Sequence, residues 1–313
     1  MTNPQVLGLP EYGRCAVFGI LNITPDSFSD GGADFAAQDA IARGLDAVAR
    51  GVDVLDVGGE STRPGAERVS VAEELRRVLP VVEALAAAGV VVSVDTMRAQ
   101  VARRCAEAGA RIVNDVSGGL ADPEMFPTVA DLGLPYILMH WRGHSVDMNA
   151  RAVYEDVIEQ VRTELAERLE AAVAAGIEPE RVVLDPGLGF AKNAEHDWAL
   201  LRGQEYLTRA LGRPLLIGHS RKRFLGALLP GPDGTPRPPG ERDAATVAVA
   251  AVAASRGAWA VRVHAGPAAA DAVRAVAAMS PAVPTKPMDP AEVDAAAAGH
   301  ARHTGHGDGE GAR

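Results

Sequence analysis

The sequence predicts an α/β protein with the (β/α)8 TIM-barrel fold, in which eight parallel strands form a barrel inside a ring of helices. Eight short apolar runs alternate with longer amphipathic segments along the chain. The runs consist mostly of consecutive apolar residues, which is typical of parallel strands that are covered on both faces. Eight strand-then-helix units are the number that closes into a barrel. An open doubly wound sheet is the alternative, but no Gly-x-Gly-x-x-Gly motif follows the first run.

The predicted strands cover residues 16–20, 54–57, 91–94, 112–113, 136–139, 182–184, 215–217 and 260–263. In the segments between them, apolar residues recur with the period of an α-helix. The clearest case is 153–175, where apolar residues recur every fourth position from Val153 and Gly176 stands where a C-cap belongs. Residues 36–50 before Gly51 and 71–88 before Gly89 repeat this plan. The segment 230–240 is rich in proline and glycine and is predicted to be a loop.

Residues 1–280 are predicted to form one domain, followed by a disordered tail at 281–313 that is rich in alanine, glycine and proline. The chain does not open with a basic region and a long apolar run, and its apolar runs are too short to span a bilayer. Cys15 and Cys105 match no metal-ligand spacing, so both are expected to be reduced thiols. These features predict a cytoplasmic protein.

The formal net charge of −10 argues against general binding to nucleic acids or anionic membranes, because such binding needs a basic face. A small anionic substrate remains possible, since it responds to local charge. Of the 31 lysine and arginine residues, only Lys192, Lys222 and Lys286 are lysine. The chain therefore departs from its usual choice of arginine at Lys222.

Polar or glycine-rich sequence follows every predicted strand, and in this fold the active site lies at the carboxyl ends of the strands. One group of these residues comprises Asp95, Asn114, Asp185 and Lys222. Its acceptors, amide and cation suit a flat heterocycle with N–H donors on one edge and a carbonyl on another. A second group, Asn22, Arg262 and His264, predicts an anion site on the first and last strands. The glycine-flanked loops 24–34 and 58–70 are candidate lids.

Seven motifs occur in this order: GILNITPDSFSDGG, DVGGESTRPGA, VDT, NDVSGG, DPGLGFAK, SRKRFLG and RVH. Together they resemble the motifs of the dihydropteroate synthases, pterin-binding enzymes of folate biosynthesis, over about residues 19–276. The form is similar to that of actinobacterial members. The resemblance implies a transferase that condenses (7,8-dihydropterin-6-yl)methyl diphosphate with 4-aminobenzoate, releasing diphosphate and 7,8-dihydropteroate. It further implies Mg2+ as cofactor, a homodimer through helices near the seventh and eighth strands, and an enzyme class that sulfonamides target.

The resemblance also assigns site residues, motif by motif. For the pterin these are Asp95, Asn114, Met139, Asp185, Phe190 and Lys222. For 4-aminobenzoate they are Thr62, Arg63, Pro64 and Ser220. For the diphosphate they are Asn22, Thr62, Arg262 and His264, with Asn22 as the magnesium ligand. Catalytic roles are implied for Asp30, Asp95, Lys222, Arg262 and His264, with Asp30 near the reacting methylene.

Three residues depart from the family pattern. Phe18 stands where a methionine is usual before the glycine of the first strand, and it is expected to change only the packing. His219 stands beside Ser220 where a small or apolar residue is usual, and it is expected to narrow the 4-aminobenzoate pocket. Ala265 follows His264 where an acidic or amide residue is common, so the orientation of His264 is in question. Solvated or capping positions are predicted for Arg142, His196 and Asp197.

Other functions remain as alternatives. A pterin-binding barrel that is non-catalytic or transfers a methyl group would keep Asp95, Asn114 and Asp185 but would need no diphosphate clamp. A Schiff-base aldolase would use Lys222 as its nucleophile. A metal-dependent hydrolase would want a His-x-His pair on the first strand, and the sequence has none.

Overall fold

The computed structural model describes residues 5–23, 32–60, 68–143 and 151–280, which apart from Ser280 lie in one compact unit, Thr2–Met279. The strands are β1 (Ala16–Asn22), β2 (Val54–Gly58), β3 (Val92–Asp95), β4 (Ile112–Asp115), β5 (Tyr136–Met139), β6 (Val182–Asp185), β7 (Leu216–Ile217) and β8 (Ala260–Val263). The helices are α1 (Gly32–Ala49), α2 (Val71–Ala87), α3 (Ala99–Glu107), α4 (Met125–Leu132), α5 (Val157–Ala174), α6 (Ala194–Arg202), α7 (Gln204–Leu211), α8 (Arg223–Leu228), α9 (Asp243–Ser255) and α10 (Gly266–Met279).

The eight strands form one parallel sheet that closes into a barrel. Its order is β6-β5-β4-β3-β2-β1-β8-β7, with every ladder parallel. The two ends of this order meet, because Leu184 of β6 forms a parallel bridge with Leu215, and the Leu184 N–H donates to the Pro214 carbonyl at 2.9 Å. The predicted TIM barrel is therefore confirmed, and the open doubly wound sheet is excluded.

All eight predicted strands are confirmed, but several continue further toward their carboxyl ends. β1 ends at Asn22, β2 at Gly58 and β6 at Asp185. Main-chain hydrogen bonding in a parallel ladder does not depend on side-chain polarity, so pairing continues into residues that were predicted to follow the strands. Asn22, Asp95, Asn114 and Asp185 are consequently fixed on the barrel wall instead of on loops.

The predicted start of the helix at residue 153 is wrong. α5 begins at Val157, and the Asp156 side chain accepts hydrogen bonds from the N–H groups of Ile158 and Glu159 at 3.0 and 3.1 Å. Asp156 is thus the N-cap, and a capped helix starts at the next residue. Val153 continues the four-residue spacing by coincidence and is 74% exposed.

Two apolar clusters fill the unit, one between the strands and the helices and the other inside the barrel. The strands contribute to the inner cluster Phe18, Val54, Ile112, Ile137, Val183, Leu216 and Ala260. Val6 and Leu9, which precede β1, belong to the same cluster. Successive strand residues point to opposite faces, so the residue two positions further along each strand also points into the lumen. The polar residues of the strand ends therefore lie above an apolar plug.

The predicted loop 230–240 is confirmed, apart from a short 3-10 turn at Pro239–Glu241. Both cysteines are free and buried. No helix within the described residues is long and apolar enough to cross a bilayer. The predicted tail at 281–313 and the central parts of the two predicted lids, 24–31 and 61–67, lie outside the described residues, so the predictions for them stay predictions.

Candidate active site

Four strand ends carry candidate residues at one level of the barrel. In the ladders, Asn22 pairs with Gly58 and Gly58 pairs with Asp95. Asp95 in turn pairs with Asn114. A Cβ atom added at Gly58 would lie 3.5 Å from Asn22 Oδ1 and 3.6 Å from Asp95 Oδ2. The glycine therefore preserves a space that is lined by two oxygen atoms.

Arg262 connects the two residue groups that the sequence analysis separates. Its Nε donates to Asp56 Oδ2 at 2.5 Å, and one terminal nitrogen donates to Asp95 Oδ2, also at 2.5 Å. Asn114 Nδ2 donates to the same Asp56 oxygen at 3.0 Å. Arg262 of the predicted anion group is thus in direct contact with Asp95 of the predicted pterin group. Its long side chain crosses from β8 past β1 to reach the carboxylates of β2 and β3.

The ionisation of this cluster follows from its burial. Burial raises the pKa of Asp95 to about 7, against the charge of Arg262 and with a further upward contribution from Asp56. Burial favours a lower pKa for Arg262, but Asp56 and Asp95 outweigh it and the net shift is upward. Arg262 consequently stays charged, while burial makes Asp95 easier to protonate than an ordinary carboxyl group.

Asp185 and Lys222 converge on the opposite side of the lumen. Asp185 Oδ1 accepts a hydrogen bond from the Gly187 N–H at 2.7 Å. A Cβ added at Gly218 would lie 3.2 Å from Asp185 Oδ2 and 3.9 Å from Lys222 Nζ. Glycine at this position lets the carboxylate and the ammonium group share one space. Met139, which pairs with Asp185 in the ladder, is buried beside them.

Lys222 also contacts the loop after β6. Its Nζ donates to the Leu188 carbonyl and lies 4.8 Å from the centre of the Phe190 ring. Burial lowers the pKa of Lys222 to about 8, with Asp185 opposing the shift. Burial likewise raises the pKa of Asp185, with Lys222 as the main opposing charge. Each group therefore keeps the other ionised in a pocket that disfavours charge.

A left-handed turn orients Ser220 and Lys222. Arg221 between them has φ = 56°, a conformation that side chains other than glycine rarely adopt. Its guanidinium makes two hydrogen bonds to Asp243 at 2.6 and 2.7 Å, and its N–H donates to Thr246 Oγ1 at 3.1 Å. The amino end of α9 thus holds the turn in its strained state.

Ser220 lies against His264. Its Oγ is 2.9 Å from His264 Nδ1 and accepts the His264 N–H at 3.0 Å. The Ser220 hydroxyl therefore orients the ring, a role that the sequence analysis left open because Ala265 has no polar side chain. Ser220 was predicted for 4-aminobenzoate, and in the structure it also touches a residue of the predicted diphosphate group.

The predicted narrowing of the pocket by His219 is not supported. His219 is fully buried, with Nε2 lying 2.8 Å from the Thr246 carbonyl and Nδ1 lying 3.3 Å from the Ile217 carbonyl. Both nitrogens therefore face the protein wall between β7 and α9. Burial lowers the pKa of His219 to about 4, so the ring is neutral near pH 7.

Asp56 is not among the site residues predicted from the sequence, although its position two residues after Val54 places it on the lumen side of β2. Asp56 pairs with Ser93 in the ladder. Within the described residues, the buried Asp56 Oδ1 and Ser93 Oγ have no hydrogen-bond partner. Buried polar atoms without partners are costly, so their presence indicates a floor that receives a polar ligand or water.

Two of the three positions predicted as solvated or capping need correction. Asp197 is buried, and its Oδ1 accepts a hydrogen bond from the Gly189 N–H at 2.7 Å. Arg142 donates from Nε to Glu164 Oε2 at 2.9 Å. Polarity alone cannot distinguish a solvated residue from one that forms hydrogen bonds with buried groups of the protein. His196 is confirmed as a capping residue of α6, in a reciprocal capping box with Asn193.

The remaining predicted residues, Asp30, Thr62, Arg63 and Pro64, lie outside the described residues. Across the described ranges, no group of three or more His, Cys, Asp or Glu side chains is arranged to hold a metal ion. A magnesium ion keeps several waters and takes one or two protein oxygens together with substrate phosphates. The space over Gly58, lined by Asn22 Oδ1 and Asp95 Oδ2, fits that limited requirement.

Comparisons with known proteins agree with this site. A family profile described as "Pterin binding enzyme" matches residues 18–264. Dihydropteroate synthase of Mycobacterium leprae is 53% identical over 259 residues, which cover 82% of this chain and 91% of that protein. This relative confirms the predicted similarity to actinobacterial members.

Two solved structures from Xanthomonas albilineans are also similar. The dihydropteroate synthase with 4-aminobenzoic acid has a TM-score of 0.81 at 43% identity, covering 90% of this chain and 100% of that one. The enzyme in complex with 7,8-dihydropteroate has a TM-score of 0.75 at 42% identity, covering 87% and 95%. The similarity thus extends over the whole barrel.

The buried neutral state of His219 predicts a pH dependence of stability. The folded pKa of about 4 lies below the ordinary value of 6.5, so between these values the unfolded chain binds a proton that the folded chain excludes. The stabilisation is complete above pH 6.5 and is lost as the pH falls to about 4. In His219→Gln, the slope of unfolding free energy against pH should be shallower by up to about 1.4 kcal/mol per pH unit. Urea unfolding at several pH values measures this, and an unchanged slope would contradict the buried neutral ring.

Proposed function

Because the chain belongs to the pterin-binding enzyme family and is a dihydropteroate synthase, we propose that it joins its two substrates within the polar lumen at the carboxyl end of its barrel. The substrates are (7,8-dihydropterin-6-yl)methyl diphosphate and 4-aminobenzoate, and the products are 7,8-dihydropteroate and diphosphate. One observation carries this proposal: Asp185 with Lys222, and Arg262 with Asp95, open into the same lumen. Complementary groups for a pterin and for an anion therefore lie side by side.

The pterin ring binds above the apolar plug. Asp185 accepts hydrogen bonds from N–H donors on its pyrimidine edge, while Asn114 supplies an amide that both donates and accepts. Lys222 acts as a point charge at the pterin carbonyl and does not need to act as a nucleophile. Met139 and Phe190 provide apolar surface for the ring faces. Burial strengthens these polar contacts because little water competes for them.

The diphosphate binds at Arg262, His264 and Asn22. Arg262 carries a permanent charge, and its bonds to Asp56 and Asp95 fix its plane before substrate arrives. His264 is fixed by Ser220 in the same way. A preorganised cation of this kind stabilises negative charge as it develops on a leaving group. Asn22 lies at the end of β1, beside the strand that carries Arg262.

The reaction breaks the bond between the pterin methylene carbon and the diphosphate oxygen, and the electron pair leaves with diphosphate. The methylene cation delocalises into the pterin ring, where the carboxylates of Asp30 and Asp95 stabilise it. The amine nitrogen of 4-aminobenzoate then forms the new C–N bond and releases a proton. The resemblance assigns Thr62, Arg63, Pro64 and Ser220 to binding this second substrate.

Magnesium is the proposed cofactor, and Asn22 Oδ1, which borders the space over Gly58, would hold it. When bound, Mg2+ neutralises diphosphate charge and makes diphosphate a better leaving group. Asp95 Oδ2 borders the same space, and both atoms are the hard oxygen donors that the ion prefers. The protein residues orient the substrate and exclude water around it.

A cytoplasmic location is part of the proposal. Cys15 and Cys105 are both free and buried, as is usual for proteins that fold in a reducing compartment.

The proposed function predicts diphosphate release that requires both substrates and Mg2+. Purified protein with pterin diphosphate and 4-aminobenzoate should release one diphosphate for each dihydropteroate formed. Omitting either substrate, or adding EDTA, should stop the release because the cation must be trapped by the amine and the leaving group must be neutralised. A folded protein that binds pterin but releases no diphosphate would support a non-catalytic or methyl-transferring pterin barrel instead.

Substitutions at Asp185 and Arg262 should separate the two halves of the first substrate. Asp185→Asn should weaken binding of the diphosphate substrate and of bare 6-hydroxymethyl-7,8-dihydropterin alike, by roughly 2–4 kcal/mol. Arg262→Lys keeps a charge beside Asp56 and Asp95 but loses the planar fork. Arg262→Lys should weaken binding of the diphosphate substrate about tenfold more than binding of the bare pterin. Calorimetric titration of both ligands measures this, and equal losses in Arg262→Lys would remove Arg262 from the anion role.

We also propose a homodimer formed through α9. The row Ala244, Ala248 and Val252 is exposed on this helix and carries no charge. Beside it lies a groove of about 280 Å³ between α6 and α9, lined mainly by apolar side chains such as Trp198 and Val249, with Arg202, Gln204 and Arg256 also in its lining. A contiguous apolar surface of this kind is typical of a protein interface. α9 lies between β7 and β8, where the resemblance predicts the dimer contact.

The dimer proposal predicts that Val252→Glu yields a monomer. Val252 is 50% exposed, so the change leaves the barrel core intact while a charge enters the proposed interface. Gln100→Glu on the exposed side of α3 is the matched control and should leave the assembly unchanged. Light scattering after size-exclusion chromatography gives the mass of each variant. A wild-type monomer, or a dimeric Val252→Glu variant, would contradict this interface.

A further inference from the structure

A second buried lysine, Lys192, lies behind the candidate pterin site, and no step of the proposed reaction uses it. Its side chain is 3% exposed. Its Nζ donates to the Phe190 carbonyl at 3.0 Å and lies 2.9 Å from His140 Nδ1. Burying an amine is costly, so the burial of Lys192 indicates that its contacts have a structural role.

The protonation states of its neighbours give this contact a direction. His140 Nε2 lies 2.9 Å from Glu164 Oε2. Although burial opposes it, hydrogen bonds from Arg142 and His140 lower the pKa of Glu164 to about 2, so this carboxylate can only accept. Burial lowers the pKa of His140 to about 4, so the ring carries a single proton near pH 7. That proton is on Nε2, which leaves Nδ1 as the acceptor for Lys192.

The hydrogen-bonded series of Lys192, His140 and Glu164 ends at Glu164, which lies on α5. Arg142 donates to both Glu164 oxygens, and its guanidinium carbon lies 3.9 Å from the centre of the Tyr154 ring. Arg142 also donates to the Val153 carbonyl at 2.8 Å. Lys192, His140 and Glu164 therefore link the loop after β6 to a fixed helix.

The loop that Lys192 holds has an unusual backbone. Gly187 and Gly189 have φ values of 68° and 74°, and Ala191 has φ = 49° although it carries a side chain. A Cβ at Gly187 would lie 2.3 Å from the His140 carbonyl oxygen, so the loop packs directly on the end of β5. The bond from Lys192 to the Phe190 carbonyl spans Ala191 and closes its left-handed turn.

We propose that Lys192 is a positioning residue for pterin binding, which holds the Ala191 turn and thereby keeps the Phe190 ring beside Lys222. The inference rests on the proposed function, because it takes Phe190 and Lys222 as pterin contacts. The ring centre is 4.8 Å from Lys222 Nζ, whereas Lys192 touches only the main chain of Phe190. Lys192 therefore acts through Phe190 and not on the substrate itself.

The contact does not require the charge of Lys192. Burial lowers the pKa of Lys192 to about 7, with Asp197 opposing the shift and Lys222 adding to it. A neutral amine keeps two N–H donors, which is the number that the Phe190 carbonyl and His140 Nδ1 accept. The positioning effect should accordingly persist above neutral pH.

The test is Lys192→Met, which keeps the length of the side chain and removes its donors. We expect the KM for the pterin diphosphate and the Kd for bare 6-hydroxymethyl-7,8-dihydropterin to rise by about tenfold. The KM for 4-aminobenzoate and kcat should change by less than about twofold, because the reacting groups are untouched. Arg103→Met is the control, since it removes an exposed cation that pairs with Asp131, and it should change neither constant.

A second variant addresses the chain of hydrogen bonds. His140→Phe keeps a ring but removes the acceptor, and it should raise the pterin Kd in the same direction. The double variant with Lys192→Met should be no weaker than Lys192→Met alone, since both changes break one chain. Near-UV circular dichroism verifies that each variant is folded.

The outcomes distinguish this inference from the proposed function. An unchanged pterin Kd in folded Lys192→Met, or an equal rise in KM for both substrates, would overturn the positioning role. The Kd needs no turnover, so a wild-type protein that binds pterin without releasing diphosphate would overturn the reaction and still test Lys192. A wild-type protein that binds no pterin would overturn both.

Discussion

Two buried carboxylates under one arginine are the constraint on which the catalytic end of this barrel depends. Asp56 and Asp95 lie buried inside the lumen, where burial and the nearby charge of Asp56 raise the pKa of Asp95. Arg262 offsets both, and it reaches them only because β8 closes onto β1. Pairing of the last strand with the first thus brings Arg262 to the two carboxylates. Loss of one partner would leave a buried charge without compensation.

The same logic extends to the loops that border the lumen. Two residues with side chains, Ala191 and Arg221, adopt left-handed conformations. Each turn is held by hydrogen bonds from a side chain that is not itself a proposed substrate contact, Lys192 in one case and Asp243 in the other. Strain of this kind persists only where the surroundings determine the backbone fully. The loops therefore present the Phe190 ring and the Lys222 ammonium in fixed positions.

The sequence predicted the strands well because each strand is a run of mostly apolar residues. A parallel sheet that is covered on both faces requires such runs. It predicted the start of α5 poorly, since the four-residue spacing continued by chance to Val153 while the Asp156 cap decided the true start. The prediction for Asp197 was also wrong because local sequence does not show how the chain packs. A polar residue near a helix start is ordinarily solvated, and only packing of the loop after β6 buries it.

The sequence by itself determined which residues face the lumen, because side chains alternate along a strand and motif order fixes the strand ends. Asp95, Asn114, Asp185 and Lys222 could be brought together on that basis. Only the tertiary structure decided which of these side chains form hydrogen bonds and ion pairs with one another. Arg262 and Asp95 are 167 positions apart, and their contact depends on how far a long side chain reaches across a closed barrel. Local sequence rules do not encode that distance, because the curvature and closure of the sheet set it.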